Sequence, residues 1–275
     1  MSNNFERTKP LVSVIIPSWF TINQSGKYGE AETFWFASEC LHRLLKVTNM
    51  DEVELIIIDN GSTLTDSLAL TLDRDFVYSP SEYWSMADIL IRNKKNLGFA
   101  PACNQGFELA RGDYVCCLNN DVLVWSGWIE ALLSVFETGD LTPPPGVVMP
   151  GLEKTHKDAR DALLLEKPNL KDNFNKTGPK AEFGSLWVSR KSILDELKQQ
   201  DGHVFDEGFI VGFGEDRDLW ERIRGLGLET YRTHKTRVFH QGCMSMSKVQ
   251  DKKKYTDANR ERLWKRYPHR IKKKK

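Results

Sequence analysis

The chain has 275 residues, of which 40% are hydrophobic and 11% aromatic, and a formal net charge of +1. This is enough apolar material for the core of one large globular domain. The opening "MSNNFERTKP" lacks the apolar centre of a signal peptide, and no later window approaches the roughly 18 apolar residues of a spanning helix, so the sequence reads as cytoplasmic or at most peripheral to a membrane.

In chain order, "LVSVIIP" (11–17) and "VELIIID" (53–59) are short β-branched runs without alternation, as in parallel strands covered on both faces. Between them Phe34, Ala37, Leu41, Leu44 and Leu45 recur at helical spacing over 30–47, so the first third predicts strand, helix, strand. "DILIRN" (88–93) predicts a third strand, "FAPACNQGFELARG" (99–112) a helix closed by Gly112, and "DYVCCLNND" (113–121) a fourth strand. A helix follows in "GWIEALLSVFETG" (127–139), then a strand or edge bracketed by prolines in "PPPGVVMP" (143–150). Residues 151–180 are polar and irregular and predict a long surface loop. Order returns with a strand in "FGSLWVSR" (183–190) and a helix in "KSILDELKQQ" (191–200). "EDRDLWERIRGLG" (215–227) puts acids first and arginines last, as a helix dipole favours, and "LETYR" (228–232) and "TRVFH" (236–240) predict two closing strands. The alternation predicts an α/β fold. Five cysteines show neither metal-ligand spacing nor a disulfide framework, which implies a reducing compartment.

Ligands of open parallel sheets sit beyond the carboxyl ends of strands, and Asp59 and Asp121 both fall there. Asp59, in "IIIDNGSTLTDS", is placed either to accept hydrogen bonds from a nucleobase or ribose, or to cap its own turn or the next helix. Asp121, after Asn119 and Asn120, is placed to hold a hard divalent cation together with a diphosphate, or to be satisfied by backbone amides. No G-x-G-x-x-G follows the first strand and no G-x-x-x-x-G-K-[ST] occurs anywhere. The sequence therefore lacks the signature of a dinucleotide oxidoreductase and that of a P-loop phosphotransferase, and supports neither.

Six blocks carry a resemblance: "VSVIIPS", "ELIIIDNGSTLTD", "NKKNLGFAPACNQGFELARGDYVCCLNND", "GSLWVSRKSILDEL", "FDEGFIVGFGEDRDLWERIRGLG" and "VFHQGCMS". Their order and spacing, over roughly residues 10–247, resemble family 2 glycosyltransferases, most closely the rhamnosyltransferase-type branch. The resemblance implies a GT-A fold, Rossmann-like, with a mixed, mainly parallel sheet flanked by helices. It divides residues 1–247 into a nucleotide-binding half (about 10–125) and an acceptor half (about 126–247), leaving 248–275 as a basic helix or tail. It implies inverting transfer from a UDP-, dTDP- or GDP-sugar to a hydroxyl of a glycan, lipid-linked saccharide or glycoprotein.

Residue by residue, the resemblance assigns Asp59 to the nucleotide base, and Pro17, Asn96, Gly98 and Asn104 to the nucleotide pocket. Asn119, Asn120 and Asp121 stand at the D-x-D motif, with Asn119 in place of its first acid. Asp121 and His240 become ligands for Mn²⁺ or Mg²⁺, and Asp216 the general base with Glu215 beside it. Trp187 and Phe209, with Trp84 behind them, are candidate faces for an acceptor sugar, or core residues. The basic C-terminal segment, with Tyr255, Leu263, Trp264 and Tyr267 interleaved, predicts either a helix on an anionic membrane surface or a solvated helix packed on the body. Nucleic acid is not an expected partner, since the body is acidic and carries no recognised module. The alternatives from other classes are a nucleotide-sugar binding protein without catalysis, suggested by Asn119, and a nucleotidyltransferase, which "PSWFTINQSGKYG" fits poorly.

Overall fold

The computed structural model describes residues 9–21, 30–72, 75–153, 170–177, 184–210, 212–242 and 251–268. Among these residues nine strands form one mixed sheet in the order β3-β2-β1-β4-β8-β6-β9-β5, with β7 paired to β9 off that path. The strands are β1 (Val12–Ser18), β2 (Val53–Asp59), β3 (Ile89–Arg92), β4 (Tyr114–Leu118), β5 (Val122–Leu123), β6 (Pro145–Leu152), β7 (Phe174–Lys176), β8 (Leu186–Arg190) and β9 (Glu229–His240). β3, β2, β1 and β4 run parallel, and β6 runs parallel to β9. β8 is antiparallel to both β4 and β6, and β5 to β9.

The absence of alternation in the first strands has a direct cause, because the sheet separates two apolar cores. Val12, Val14 and Ile16 of β1 and Leu55 and Ile57 of β2 join α1 (Glu30–Val47) and α5 (Trp128–Phe136) on one face. Ile15, Ile56 and Ile58 face the other core, with α4 (Phe99–Leu109), α6 (Lys191–Asp201) and α7 (Glu215–Gly225). Every residue of β2 is buried. Glu54 is tolerated among them because Ser13 Oγ donates to it at 2.8 Å and Arg111 Nε at 2.5 Å.

Three expectations are corrected here. "LETYR" and "TRVFH" form one twelve-residue strand; the polar Thr233, His234 and Lys235 between them sit where its register with β6 shifts, so a pattern of apolar residues breaks there. The expected loop 151–180 contains β7, bonded antiparallel to β9, while residues 154–169 and 178–180 of it lie outside the described residues. Two short helices, α2 (Asp66–Ala69) and α3 (Pro80–Ser85), stand where none is predicted. α3 carries a capping box between Ser79 and Glu82 with Pro80 at its start, a signature present in "SPSE". The last helix, α8 (Lys252–Arg266), follows the sheet in sequence. No helix among the described residues is long and apolar enough to cross a membrane.

Candidate active site

A cleft of about 720 Å³ opens beyond the carboxyl ends of β1 and β4. Pro17, Ser18 and Trp19 enter it from the end of β1, and Asn119, Asn120 and Asp121 from the break between β4 and β5. One side of it is built by Asn60. The Asn60 amide donates to Asn96 Oδ1 at 2.9 Å and to the Gly98 carbonyl at 3.0 Å, and its Oδ1 accepts from Leu97 N at 3.0 Å. This clasp carries Asn96 and Gly98 into the cleft wall. Gly61 lets the two loops meet, since it has φ +82° and a Cβ there would stand 2.4 Å from the Lys95 carbonyl carbon. Asp59 is buried beside the cleft rather than on its lining, accepting from Ser62 N at 2.8 Å with Arg92 3.8 Å away.

Asp121 and His240 meet because β5 pairs antiparallel with β9, which sets Val122 opposite His240. His240 Nε2 lies 3.3 Å from Asp121 Oδ1, and Gly242 N donates to Asp121 Oδ2 at 3.1 Å. Burial opposes the charged imidazole, but the Asp121 carboxylate outweighs it and raises the His240 pKa. Both side chains line the cleft.

The opposite side is formed by the start of α7. Gly214, with φ +111°, turns the chain so that Glu215 and Asp216 open the helix at the cleft. Asp216 Oδ1 accepts from Arg217 N at 2.7 Å. Its carboxylate occupies space that a side chain at 184 would fill, as a Cβ on Gly184 would lie 2.9 Å from Asp216 Oδ2. Glu215 is only 7% exposed and its Oε2 has no hydrogen-bond partner. Burial, with the Asp216 carboxylate next to it, pushes the Glu215 pKa up to about 8. The folded chain therefore keeps a proton that the unfolded chain gives up near 4.5, so this group favours folding below about pH 4.5 and loses that contribution as pH rises through 8. Glu215→Gln is expected to flatten the fall in stability over that window by on the order of a few kcal/mol, read as unfolding temperature against pH for the two proteins.

Four more buried polar atoms, without a partner among the described residues, line the same cleft: Asn119 Oδ1, Asn120 Nδ2, Ser185 Oγ and Arg217 Nε. Desolvated groups of this kind carry a cost that a polar ligand would offset. The third wall is α8, which contributes Thr256, Arg260 and Leu263. Its Asn259 amide donates to the Ile210 and Gly212 carbonyls at 3.0 and 2.8 Å, and Arg266 bridges Asp206 and Asp218 at 2.9 and 2.6 Å.

Four expected site residues lie elsewhere. Trp187 is completely buried, stacked edge-on against Trp220 at 5.3 Å, so it cannot offer a face to a sugar. Phe209 is 1% exposed and packs with Leu263 behind the cleft wall. Trp84 is likewise in the core, with Phe20 and Tyr83. Asn104 faces away from the cleft lining and pins the 205–207 turn, donating to the Phe205 carbonyl and to Glu207 Oε1 at 2.9 Å each. Ser185, Gly184, Arg217 and the α8 residues are not legible as site residues in the sequence. Only Gly184 had a local signal, a small residue pair opening a strand.

Residues 36–198 match the family profile described as Glycosyl transferase family 2, which is more than half of the chain. The chain belongs to glycosyl transferase family 2. The matched segment ends before Glu215, Asp216 and His240. Among curated relatives, the uncharacterized glycosyltransferase EpsJ of Bacillus subtilis (strain 168) is 25% identical over 240 residues, covering 81% of this chain and 61% of that protein. Glycosyltransferase GlyG of Streptococcus pneumoniae serotype 4 is 28% identical over 130 residues, covering 47% of this chain and 36% of that one. The chain thus spans less than two thirds of the length of these relatives. Among solved structures, S. aureus TarS 1-349 in complex with UDP-GlcNAc superposes with a TM-score of 0.60 at 13% identity, over 95% of this chain and 68% of that one. The same segment of TarS in another crystal structure gives 0.55 at 13% identity, over 95% and 75% of the two chains. The likeness shows a GT-A-like fold for this family 2 chain: a mixed, mainly parallel sheet flanked by helices.

Proposed function

We propose that this family 2 chain is an inverting glycosyltransferase that moves a sugar from a UDP-, dTDP- or GDP-sugar to a hydroxyl of a glycan, lipid-linked saccharide or glycoprotein. One observation carries the reading: Asp121 with His240, and Glu215 with Asp216, reach a single cleft from well-separated parts of the chain. Asp216 takes the proton of the acceptor hydroxyl, whose oxygen attacks the anomeric carbon as the bond to the diphosphate breaks and its electron pair leaves with the phosphate. Between the two neighbouring acids, burial keeps the proton on Glu215 near neutral pH, which supports Asp216 as the acceptor of a proton. Asn96, Gly98 and Asn120 face the nucleotide sugar, with Asp59 beside its base.

Asp121 and His240 suit a divalent cation, Mn²⁺ or Mg²⁺, which when bound neutralises charge on the departing diphosphate. No cluster of three His, Cys, Asp or Glu side chains that could hold a metal occurs among the described residues. A set of two donors fits a cation that completes its coordination with diphosphate oxygens and water, so metal and donor would bind together. The resemblance to the rhamnosyltransferase branch makes a deoxyhexose the first donor sugar to try. Cytoplasmic placement belongs to the same proposal, as does a catalytic unit that extends past residue 247 to include α8.

The test is thermal unfolding with UDP-, dTDP- and GDP-sugars, each with and without Mn²⁺, because a ligand that binds only the folded state raises the unfolding temperature. One donor is expected to raise it, and to do so only with the metal. Absence of any shift across the panel would contradict the reading. Binding without turnover on any acceptor would favour a non-catalytic donor-binding protein.

A further inference from the structure

Most arginines on α7 and α8 are committed to carboxylates. Arg222 pairs with Asp218 at 2.9 Å and Arg224 with Glu229 at 2.7 Å. Arg262 pairs with Asp206 at 2.8 Å, and Arg266 with both Asp206 and Asp218. Arg217 and Arg260 differ from these. The Arg217 guanidinium makes no hydrogen bond or ion pair among the described residues, and its Nε is buried without a partner. Among the described residues Arg260 reaches only Asp257, one turn earlier on its own helix, at 3.1 Å, and both of those side chains are more than half exposed. An exposed pair of that kind costs little to give up. Both arginines line the cleft.

Their position selects the ligand. Arg217 directly follows Asp216 at the start of α7 and lines the cleft with it, so it borders the place where, on the proposed function, the acceptor hydroxyl is deprotonated. The donor diphosphate has its own place at Asp121 and His240, reached from β5 and β9. Ile210 and Phe213 add exposed apolar surface to the same wall. Two uncommitted guanidinium forks match the several acceptor oxygens of a phosphate.

We propose that Arg217 and Arg260 form an anion subsite on the acceptor side of the cleft, taking a phosphate ester that the acceptor carries close to its reacting hydroxyl. The inference rests on the assignment of Asp216 as the base. Such a phosphate belongs either to a soluble glycan or to a lipid-linked acceptor.

Calorimetric titration of the full chain with sn-glycerol 3-phosphate, and with glycerol as the uncharged control, tests it both with and without UDP and Mn²⁺. Glycerol phosphate is expected to bind saturably and glycerol not to bind. Arg217→Met and Arg260→Met should each weaken the phosphate probe about tenfold, Arg217→Lys less so, with UDP affinity unchanged. Neither guanidinium holds the fold together, so the variants should unfold at the wild-type temperature. Sedimentation with phosphatidylcholine vesicles, with and without phosphatidylglycerol, separates the sources. Loss of anionic-vesicle binding in the two variants assigns a lipid phosphate, and loss confined to the soluble probe assigns a glycan phosphate. Glycerol phosphate binding no better than glycerol, or unaltered in both variants, would overturn the subsite. So would a parallel loss of UDP affinity, which would give the arginines to the donor. Failure of UDP to bind wild type at all would strike the functional reading instead, leaving the titration without UDP to judge the subsite.

Discussion

Asp216→Asn is expected to lower transfer by about 10² to 10⁴-fold while leaving donor binding in place, since the amide keeps the shape of the carboxylate and loses only its capacity to accept a proton. The geometry makes the change a clean one. Gly184 leaves room for the side chain, and the amide oxygen can still accept from Arg217 N, which sits 2.7 Å from Oδ1. The measurement is kcat for nucleotide release in the presence of acceptor, set beside donor affinity for the same protein. Turnover near the wild-type rate would remove Asp216 as the base. Glu215→Gln should be far milder on kcat at neutral pH, because that position already carries its proton there.

Asp218→Ala is expected to cost about 3–5 kcal/mol of folding stability, the largest effect of any single change considered, because it removes the carboxylate from a buried charge network. Asp218 is fully buried and holds three partners: Arg222 Nε at 2.9 Å, Arg266 at 2.6 Å and the Tyr267 hydroxyl at 2.8 Å. Without it, the nearly buried Arg222 keeps Asp201 at 3.3 Å as its one carboxylate partner among the described residues, and α8 loses one of the two body carboxylates, Asp206 and Asp218, that its arginines hold. Urea denaturation of the variant against wild type measures the cost. Arg266→Ala should cost less, since its side chain is 39% exposed and water replaces part of what it loses. A loss below about 1 kcal/mol for Asp218→Ala would mean that the network does little to hold α7 and α8 together.

The strands and the acids at their ends were legible in the sequence because both are local signals. β2 and α1 fall on the predicted residues, since an unbroken β-branched run and a helical period each reflect burial of neighbouring residues. Asp121 and His240 were placed at strand ends, and the β5–β9 register brings them together. What was not legible depends on partners distant in sequence. Trp187 reads as an exposed sugar platform or a core ring with equal ease until β8 is known to lie between β4 and β6. Asn104 belongs to a block that resembles the nucleotide pocket, yet its bonds reach Phe205 and Glu207, about a hundred residues away. The basic residues of α8 have no sequence mark distinguishing those spent on Asp206 and Asp218 from those facing solvent. A charge run therefore reads as surface, whereas part of it is a wall of the cleft.

On the proposed function, Asp121 and Asp216 act on one nucleotide sugar, the first by holding its diphosphate end and the second by serving only the chemical step. Calorimetric titration of the donor that stabilises wild type, with Mn²⁺ present, into Asp121→Ala and Asp216→Asn tests this most directly. Asp121→Ala is expected to lose most of the donor affinity and Asp216→Asn to keep it. Undiminished affinity in Asp121→Ala would contradict it.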